Sequence, residues 1–429
     1  MEHQLYVYND RSHLSTLPTK IKNELGKHSL LFDKDNSVMF CGMVVDDDAA
    51  HVFFPRNATL SKDDGKLLVS KASQLLQAIY RYSLISNSTK NANDEGSELV
   101  GDSQLGLIIE LLSDYQRNGL YTHKYAVNVK NMGKPNWSQT ISKSITFMSA
   151  RGPVYFDIYG KKQHYNQDNE ITLIHASVLS FLFERFGWLI SDTSTSLTKL
   201  RTVGKSHLSK KNQISLIKNE MNNIYSDHDI RLLSNLKRYI SSEIGKDSSV
   251  EVMGIRSFHV MWEHMLSKVL DNVIEVNNLL PKPAYKILNR DGRVVIINAK
   301  RNGQRTDIVV KRPEHEDYCV IDAKYYGAHS IESVPKWGDL VKQFFYVTAL
   351  KTIVPVHAVV NNAFIFPGNR GPIKSIHMCE QSDGTLIDDV YPPITCYYIC
   401  PHDVISTYLK SQKLKNQPYW YSQVTLTTS

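Results

Sequence analysis

Two β-prone runs separated by a short polar segment constrain the fold of this chain more than any other feature. Arg305-Thr306-Asp307-Ile308-Val309-Val310 is followed by the polar stretch Lys311 to Glu316 and then by Tyr318-Cys319-Val320-Ile321-Asp322-Ala323-Lys324-Tyr325. Such a pair predicts an antiparallel hairpin. Side chains alternate along a strand, so Asp322 and Lys324 project from one face while Ala323 points the other way into packing. Asp307, on the neighbouring strand, reaches that same face. Two carboxylates converging on one point are costly to bury as anions unless a cation neutralises them. Hard oxygen ligands of this kind suit Mg²⁺, with Mn²⁺ as the alternative ion. A lysine one pleat from a ligand carboxylate can orient or deprotonate an attacking water and offset charge on a pentavalent phosphorane.

The helix before the hairpin supplies a third acid. Phe258, Met261, Trp262, Met265, Leu266, Val269 and Leu270 recur at three- and four-residue spacing, which predicts an amphipathic helix with Glu263 at the edge of its stripe. After the hairpin, Asp339-Leu340-Val341-Lys342-Gln343-Phe344-Phe345-Tyr346 reads as another helix, with Gln343 and Tyr346 one turn apart on a shared face. An acid-x-Lys triplet alone carries little weight, because average composition yields roughly two in a chain this long. The other one here, Asp64-Gly65-Lys66, falls in a turn before a helix, where alternation cannot pair its side chains. What sets the first apart is the ordered series of helix Glu, strand Asp, hairpin Asp-x-Lys and helix Gln-x-x-Tyr. That series makes Glu263, Asp307, Asp322, Lys324 and Gln343 the candidate catalytic residues. Asp307, Asp322 and the Ala323 carbonyl are the expected metal ligands, with Glu263 acting through a water or a second ion. Lys324 is expected to position the nucleophilic water and Gln343 to orient a neighbouring group.

Pattern along the chain predicts an α+β, multidomain protein. Residues 1–98 mix short strand-like runs with a helix carrying Leu68, Leu75, Leu76, Ile79 and Tyr80, and end in the polar linker of residues 86–98. Residues 99–245 read as mostly helical, with one stripe at Leu105, Ile108, Ile109 and Leu112 and another at Ile174, Val178, Leu179, Leu182, Phe183 and Phe186. Between them lies an extended, turn-rich stretch whose aromatics, Tyr121, Tyr125, Trp137, Phe147, Tyr155, Phe156 and Tyr159, read as the core of a β-rich region. Residues 246–429 alternate helix and strand, as an α/β domain does, with a central mixed sheet flanked by helices.

Composition narrows the remaining classes. No run approaches the roughly 18 apolar residues of a membrane span, and the start is polar, so the chain is expected to be cytoplasmic and free of membrane. Five cysteines, Cys41, Cys319, Cys379, Cys396 and Cys400, are an odd number without framework spacing, which argues against disulfides. Cys396, Cys400 and His402 lack a second ligand pair for zinc, and Ile394 to Cys400 reads as a buried strand. His259, His264 and His329 read as structural. A net charge of +7 is mild for 429 residues and leans toward polyanionic partners. The basic approach Lys199, Arg201, Lys205, Lys210 and Lys211 reads as a solvated face. Val203-Gly204-Lys205-Ser206 has Lys199 where a P-loop requires its first Gly, so the chain carries no nucleotide site of its own.

The series Glu263, Asp307, Asp322-Ala323-Lys324 and Gln343-Phe344-Phe345-Tyr346 resembles the PD-(D/E)xK nuclease superfamily. Asp322 stands where Glu is usual, and Thr306 replaces the proline before Asp307. Within the superfamily, Val320 to Tyr326 and Asp339 to Tyr346 look most like LlaJI-type and McrC-like restriction subunits, as does Gly133-Lys134-Pro135-Asn136-Trp137-Ser138-Gln139-Thr140-Ile141. The resemblance implies a restriction-endonuclease-like α/β core in the C-terminal part. It also implies Mg²⁺-dependent cleavage of double-stranded DNA and an AAA+ GTPase or ATPase subunit, McrB-like, supplied in trans. Cutting a duplex needs two active sites, so paired copies are expected. Arg293, Lys300, Arg301, Arg305, Lys311 and Tyr346 flank the proposed site as candidate DNA contacts, although a charged hairpin edge also guards against aggregation. Two other readings stay open: a nuclease of a transposition or repair complex, and an inactive DNA-binding scaffold with the same fold.

Overall fold

The computed structural model describes the chain except for residues 1–3, 47–48, 59–64, 90–98, 167–168, 190–192, 244–249, 300–302 and 422–429. It divides into two compact units, residues 103–248 and a discontinuous unit of residues 2–102 and 249–429. Residues 2–102 thus share a unit with the C-terminal part, whereas composition set them apart.

The reason is strand pairing. Strands β1 (Gln4–Asn9), β2 (Cys41–Val45), β3 (Ala49–Phe54), β4 (Leu99–Val100) and β5 (Glu251–Ile255) form one sheet in the order β1-β3-β2-β5-β4. β1 runs parallel to β3, and the other neighbours are antiparallel. Every residue of β2, β3 and β5 is buried, so these strands read as continuous apolar runs rather than alternating ones. Ile21 and Leu25 of the helix Thr19–Lys27 join Val44, Phe53 and Val252 in one core, and helix α1 (Gly65–Thr89) also packs on the sheet. The α1 residues Leu68, Leu75, Leu76 and Ile79 are buried, as their spacing predicts. Asp64 and residues 90–98 of the expected linker lie outside the described residues; residues 86–89 are helical.

A second sheet carries the hairpin. It comprises β8 (Ile308–Lys311), β9 (Asp317–Ala323), β10 (Val359–Pro367), β11 (Ser375–Ile376) and β12 (Ile394–Ile399), in the order β8-β9-β10-β12-β11. β8 and β9 are antiparallel, β9, β10 and β12 are parallel, and β11 closes the edge antiparallel. Helix α3 (Trp337–Lys351) connects β9 to β10, and its Tyr346, Val347 and Leu350 bury against Val309, Val320 and Val360. Helix α2 (Phe258–Val269) packs against β9 with the whole expected stripe buried, and α4 (Pro401–Leu409) packs on α1 and α2. Cys396 is buried within β12, consistent with a strand. The hairpin of β6 (Ala284–Leu288) and β7 (Val294–Asn298) is exposed along both strands.

Residues 103–248 contain the expected helices, Glu170–Phe186 among them, with Ile174, Leu179, Leu182, Phe183 and Phe186 buried. The stretch between them holds two small sheets: Tyr159–Asn166 pairs with His123–Lys130 and Lys134–Pro135, and Thr146–Ser149 pairs with Gly152–Tyr155. Here the aromatic reading needs correction. Tyr121 is buried, but Trp137, Phe147 and Phe156 are exposed at 54%, 49% and 70%: Trp137 opens the short helix Trp137–Lys143, and the two-stranded sheet at Phe147 and Phe156 has too few strands to enclose them. Among the described residues no helix is long and apolar enough to cross a membrane.

Gly42 and Gly254 face each other across β2 and β5 beneath Phe40. A Cβ on Gly254 would meet the Cys41 carbonyl oxygen at 2.3 Å and the Phe40 ring at 2.6 Å. Gly254→Ala should therefore destabilise the discontinuous unit by about 1–3 kcal/mol in denaturant or thermal unfolding. Gly338→Ala, at a position with open space around it, should leave the transition nearly unchanged.

Candidate functional site

The hairpin register builds the site. Ile308 pairs with Ile321 and Val309 with Val320, so one residue further Asp307 stands across from Asp322. Regular pairing starts at Ile308 and not at Arg305, because Thr306 is clamped elsewhere. Its N–H and hydroxyl donate to Asn277 Oδ1 at 2.9 and 3.0 Å, and its carbonyl accepts from Asn277 Nδ2 at 3.1 Å. Asp307 then folds onto the hairpin, its Oδ2 accepting from the Ala323 N–H at 3.0 Å. Alternation puts Lys324 on the face of Asp322, with Nζ 2.8 Å from Asp322 Oδ2. The same amine donates to Asp339 Oδ1 at 2.7 Å from the first turn of α3. Asp339 is fixed in turn by the Lys336 N–H at 3.2 Å and the Tyr326 hydroxyl at 3.4 Å.

Charge is crowded here. Asp322 is 4% exposed. Burial first, and then the neighbouring Asp322 carboxyl, push Asp307 up to about 8. The same two causes push Glu263, reaching in from α2, up to about 7. Burial alone would lower Lys324, but Asp322 and Asp339 outweigh it and the amine sits above its ordinary value. Lys324 is therefore protonated at neutral pH, suited to orienting a water or stabilising an oxyanion rather than to taking a proton. Lys342 is a second amine beside the acids: its charge acts on Glu263 and it feels Asp322 and Asp307.

Of the residues singled out from sequence, Glu263, Asp307, Asp322, Ala323 and Lys324 come together. Gln343 is fully buried, and its Nε2 donates to the Val320 and Ala363 carbonyls at 3.0 and 3.2 Å. Those carbonyls belong to β9 and β10, so Gln343 ties α3 to the sheet beneath the site. Tyr346, expected at the DNA surface, is 6% exposed in the core with Lys342 Nζ 5.3 Å from its ring centre. Lys311 lies at the far end of the hairpin, paired with Glu316 at 2.8 Å. Arg305 is exposed beside the Thr306 clamp, and Arg293 is exposed at the turn of the β6–β7 hairpin. Lys300 and Arg301 lie outside the described residues. Asp339 and Lys342 were missed as site members. Their signal was the i, i+3 spacing on the helix that also carries Gln343.

The donor set fits a hard divalent cation of the Mg²⁺ type, which keeps several waters and binds through one or two carboxylates. Among the described residues no group of three or more His, Cys, Asp and Glu side chains forms a metal cage. Asp307 and Asp322 provide a two-carboxylate arrangement, and Glu263 on α2 feels the Asp322 charge.

Asp307 and Glu263 hold their protons more tightly in the folded than in the unfolded chain. Their contribution to stability is therefore full below the ordinary carboxyl range and lost as pH rises toward about 7 and about 8. In chelator, the melting temperature should fall as pH is raised through that window. Asp307→Asn should flatten the fall, and millimolar Mg²⁺ should restore stability at the alkaline end. A slope identical in wild type and Asp307→Asn would dissolve the assignment of a strained carboxyl pair.

Comparison with known proteins follows the same lines. A model of the LlaJI restriction endonuclease family matches residues 40–376. The Type II restriction enzyme BsuMI component YdjA of Bacillus subtilis (strain 168) is 25% identical over 353 residues, covering 79% of this chain and 74% of that protein. Among solved structures, a chain of the Thermococcus gammatolerans half-complex of McrB AAA+ hexamers with bound McrC matches at 12% identity and a TM-score of 0.43, covering 95% of this chain and 99% of that one. A chain of the Thermococcus gammatolerans McrBC complex matches at 12% identity and a TM-score of 0.24, covering 55% and 80%.

Proposed function

This chain belongs to the LlaJI restriction endonuclease family, and from that premise we propose that it is the Mg²⁺-dependent nuclease subunit of a restriction system, hydrolysing phosphodiester bonds of double-stranded DNA at Asp307, Asp322 and Lys324. The observation that carries the reading is a charge imbalance on a rigid frame. Four carboxyls, Glu263, Asp307, Asp322 and Asp339, share the site with two amines, Lys324 and Lys342. With every group ionised, two negative charges stay uncompensated, the deficit that one divalent cation fills.

In this reading the sheet of β8, β9, β10, β11 and β12 is a restriction-endonuclease-like core. Asp307, Asp322 and the Ala323 carbonyl would hold Mg²⁺, with Mn²⁺ as the alternative. Bound there, the ion would polarise a phosphoryl oxygen and acidify a water. Lys324, kept protonated by Asp322 and Asp339, orients the attacking water and offsets the charge that builds on the phosphorus oxygens. Glu263 accepts a hydrogen bond from water on the side of α2. Gln343 fixes the sheet under Asp322, a positioning role.

The subunit is proposed to work with an AAA+ NTPase in trans. Support comes from the curated relative, which is itself named as a component. Exposed Trp137, Ile141, Ile145, Phe147, Met148 and Phe156, six large apolar side chains within residues 137–156, add to it, since apolar surface concentrated in one segment suits contact with a protein partner. Cutting both strands calls for paired copies in the working assembly.

The test is plasmid cleavage by the chain co-purified with its neighbouring gene product, with Mg²⁺ and with GTP or ATP. Asp322→Ala and Lys324→Ala should each lower cleavage at least about a hundredfold while the chain stays folded and co-purification persists. Full activity in the Asp322→Ala complex refutes the proposal.

A further inference from the structure

The N-terminal sheet ends in a cavity that the cleavage chemistry does not use. β1 and β3 are parallel neighbours with Asn9 opposite Phe54, and the Asp10 N–H donates to the Phe54 carbonyl at 2.7 Å. Arg11 and Arg56 each follow their strand by two residues, so the register delivers both guanidinium groups to the same end of the sheet. There Arg11, His13, Phe32, Asp35, Ser37 and Arg56 line a cavity of about 390 Å³.

Three observations give this cavity the character of an anion site. Among the described residues neither guanidinium makes an ion pair with a carboxylate, although both charges act on the buried Asp10 and Asp35 also lines the cavity; the Arg11 Cζ instead sits over the Phe32 ring, 4.8 Å from its centre. Ser37 is 5% exposed, and its hydroxyl has no hydrogen-bond partner among the described residues. Arg11 also holds a left-handed backbone, φ 69°, uncommon for a residue with a side chain and costly unless the surroundings impose it. That backbone is fixed by the Arg11 N–H donating to the Val38 carbonyl at 2.9 Å.

The cavity is joined to the carboxylate site through one residue. Tyr325 follows Lys324 in the chain, and its hydroxyl accepts from the Arg56 N–H at 2.8 Å and lies 3.5 Å from Cys41 Sγ. Asn57 donates to the Pro367 carbonyl at the end of β10 at 3.0 Å, so the loop after β3 is tied to the sheet that bears Asp322.

We propose that this cavity is a subsite for a backbone phosphate of the DNA, held by Arg11 and Arg56 with Ser37 donating to a phosphate oxygen. The inference rests on the nuclease reading and adds to it a strand-positioning residue pair outside the carboxylate cluster. The planar guanidinium groups of two arginines suit a phosphate diester, and contacts of this kind set register without reading sequence.

The experiment measures binding of a fluorescent duplex to the full chain, with any co-purifying subunit, in chelator so that no cleavage intervenes, across a salt series. The double variant carries Arg11→Asn, because asparagine tolerates the left-handed backbone, and Arg56→Gln, which keeps the backbone bond to Tyr325. It should bind about tenfold more weakly, with the slope of log affinity against log salt reduced by about 1, for all duplex sequences alike. The charge-keeping double variant Arg11→Lys with Arg56→Lys loses the fork but keeps the charge, so it should weaken binding less than the Asn/Gln variant and keep the wild-type salt slope, which separates lost charge from lost packing. Affinity and salt slope unchanged in the Asn/Gln variant overturn the proposal, as does equal weakening in both double variants. Failure of the nuclease reading shows elsewhere, as undiminished cleavage by Asp322→Ala, because the binding measurement needs no intact carboxylates.

Discussion

Asp307 and Asp322 stand across a hairpin from each other in a buried setting, and their mutual repulsion is the constraint around which the C-terminal sheet is organised. Burial disfavours the charged form of Asp307, and the Asp322 carboxyl beside it adds to that, which is why Asp307 holds its proton far above the usual carboxylate range. The arrangement persists because other groups over-determine it. The Ala323 N–H fixes one oxygen of Asp307, Lys324 pairs with Asp322, and Asn277 clamps the residue just before Asp307. A register slip of one residue would turn Asp322 toward α2 and Ala323 toward α3, so the register is also the site. Gln343 guards it from below by bonding carbonyls of β9 and β10 at once.

Lys324 gains its properties from the same frame. Burial alone would lower the pKa of this amine, yet it sits between Asp322 and Asp339 at 2.8 and 2.7 Å, which raise it. Asp339 comes from the first turn of α3, where its own carboxylate caps the helix through the Lys336 N–H. The helix start therefore aims one acid at the lysine while its buried face covers the sheet. Packing and chemistry are set by one element, and a change in how α3 seats on β9 moves the charge balance of the site.

Much of this was legible in the sequence because the signals are local. Alternation along β9 places Asp322 and Lys324 together, and the three- and four-residue spacing of α2 buries Met261, Trp262 and Met265 while leaving Glu263 at the edge. The reading of Tyr346 as a DNA contact failed for a physical reason. Helical spacing says which residues share a face, but not whether that face looks into a core or into a cleft, and here it looks into the core. Trp137, Phe147 and Phe156 failed the opposite way: aromatic density suggested a core, but Trp137 opens the short helix Trp137–Lys143, and Phe147 and Phe156 lie in and beside a two-stranded sheet, which encloses no core. The union of residues 2–102 with 249–429 was hidden, because the pairing of β2 with β5 joins segments about two hundred residues apart and leaves no periodic trace.

That hidden union explains why the N-terminal sheet belongs to the site at all. The alternation that turns Lys324 toward the carboxylates turns Tyr325 the other way, onto Phe258 at 5.3 Å and Trp262 at 6.5 Å of α2. Its hydroxyl then reaches the Arg56 N–H and Cys41, so successive residues of one segment bond the acids on one side and the N-terminal strands on the other. Asp10, buried at the end of β1, shares a hydrogen bond with the same hydroxyl while accepting from the Phe40 N–H at 3.2 Å. The end of β9 is thus anchored by two sheets, and the N-terminal strands fix the lysine's backbone without touching its amine.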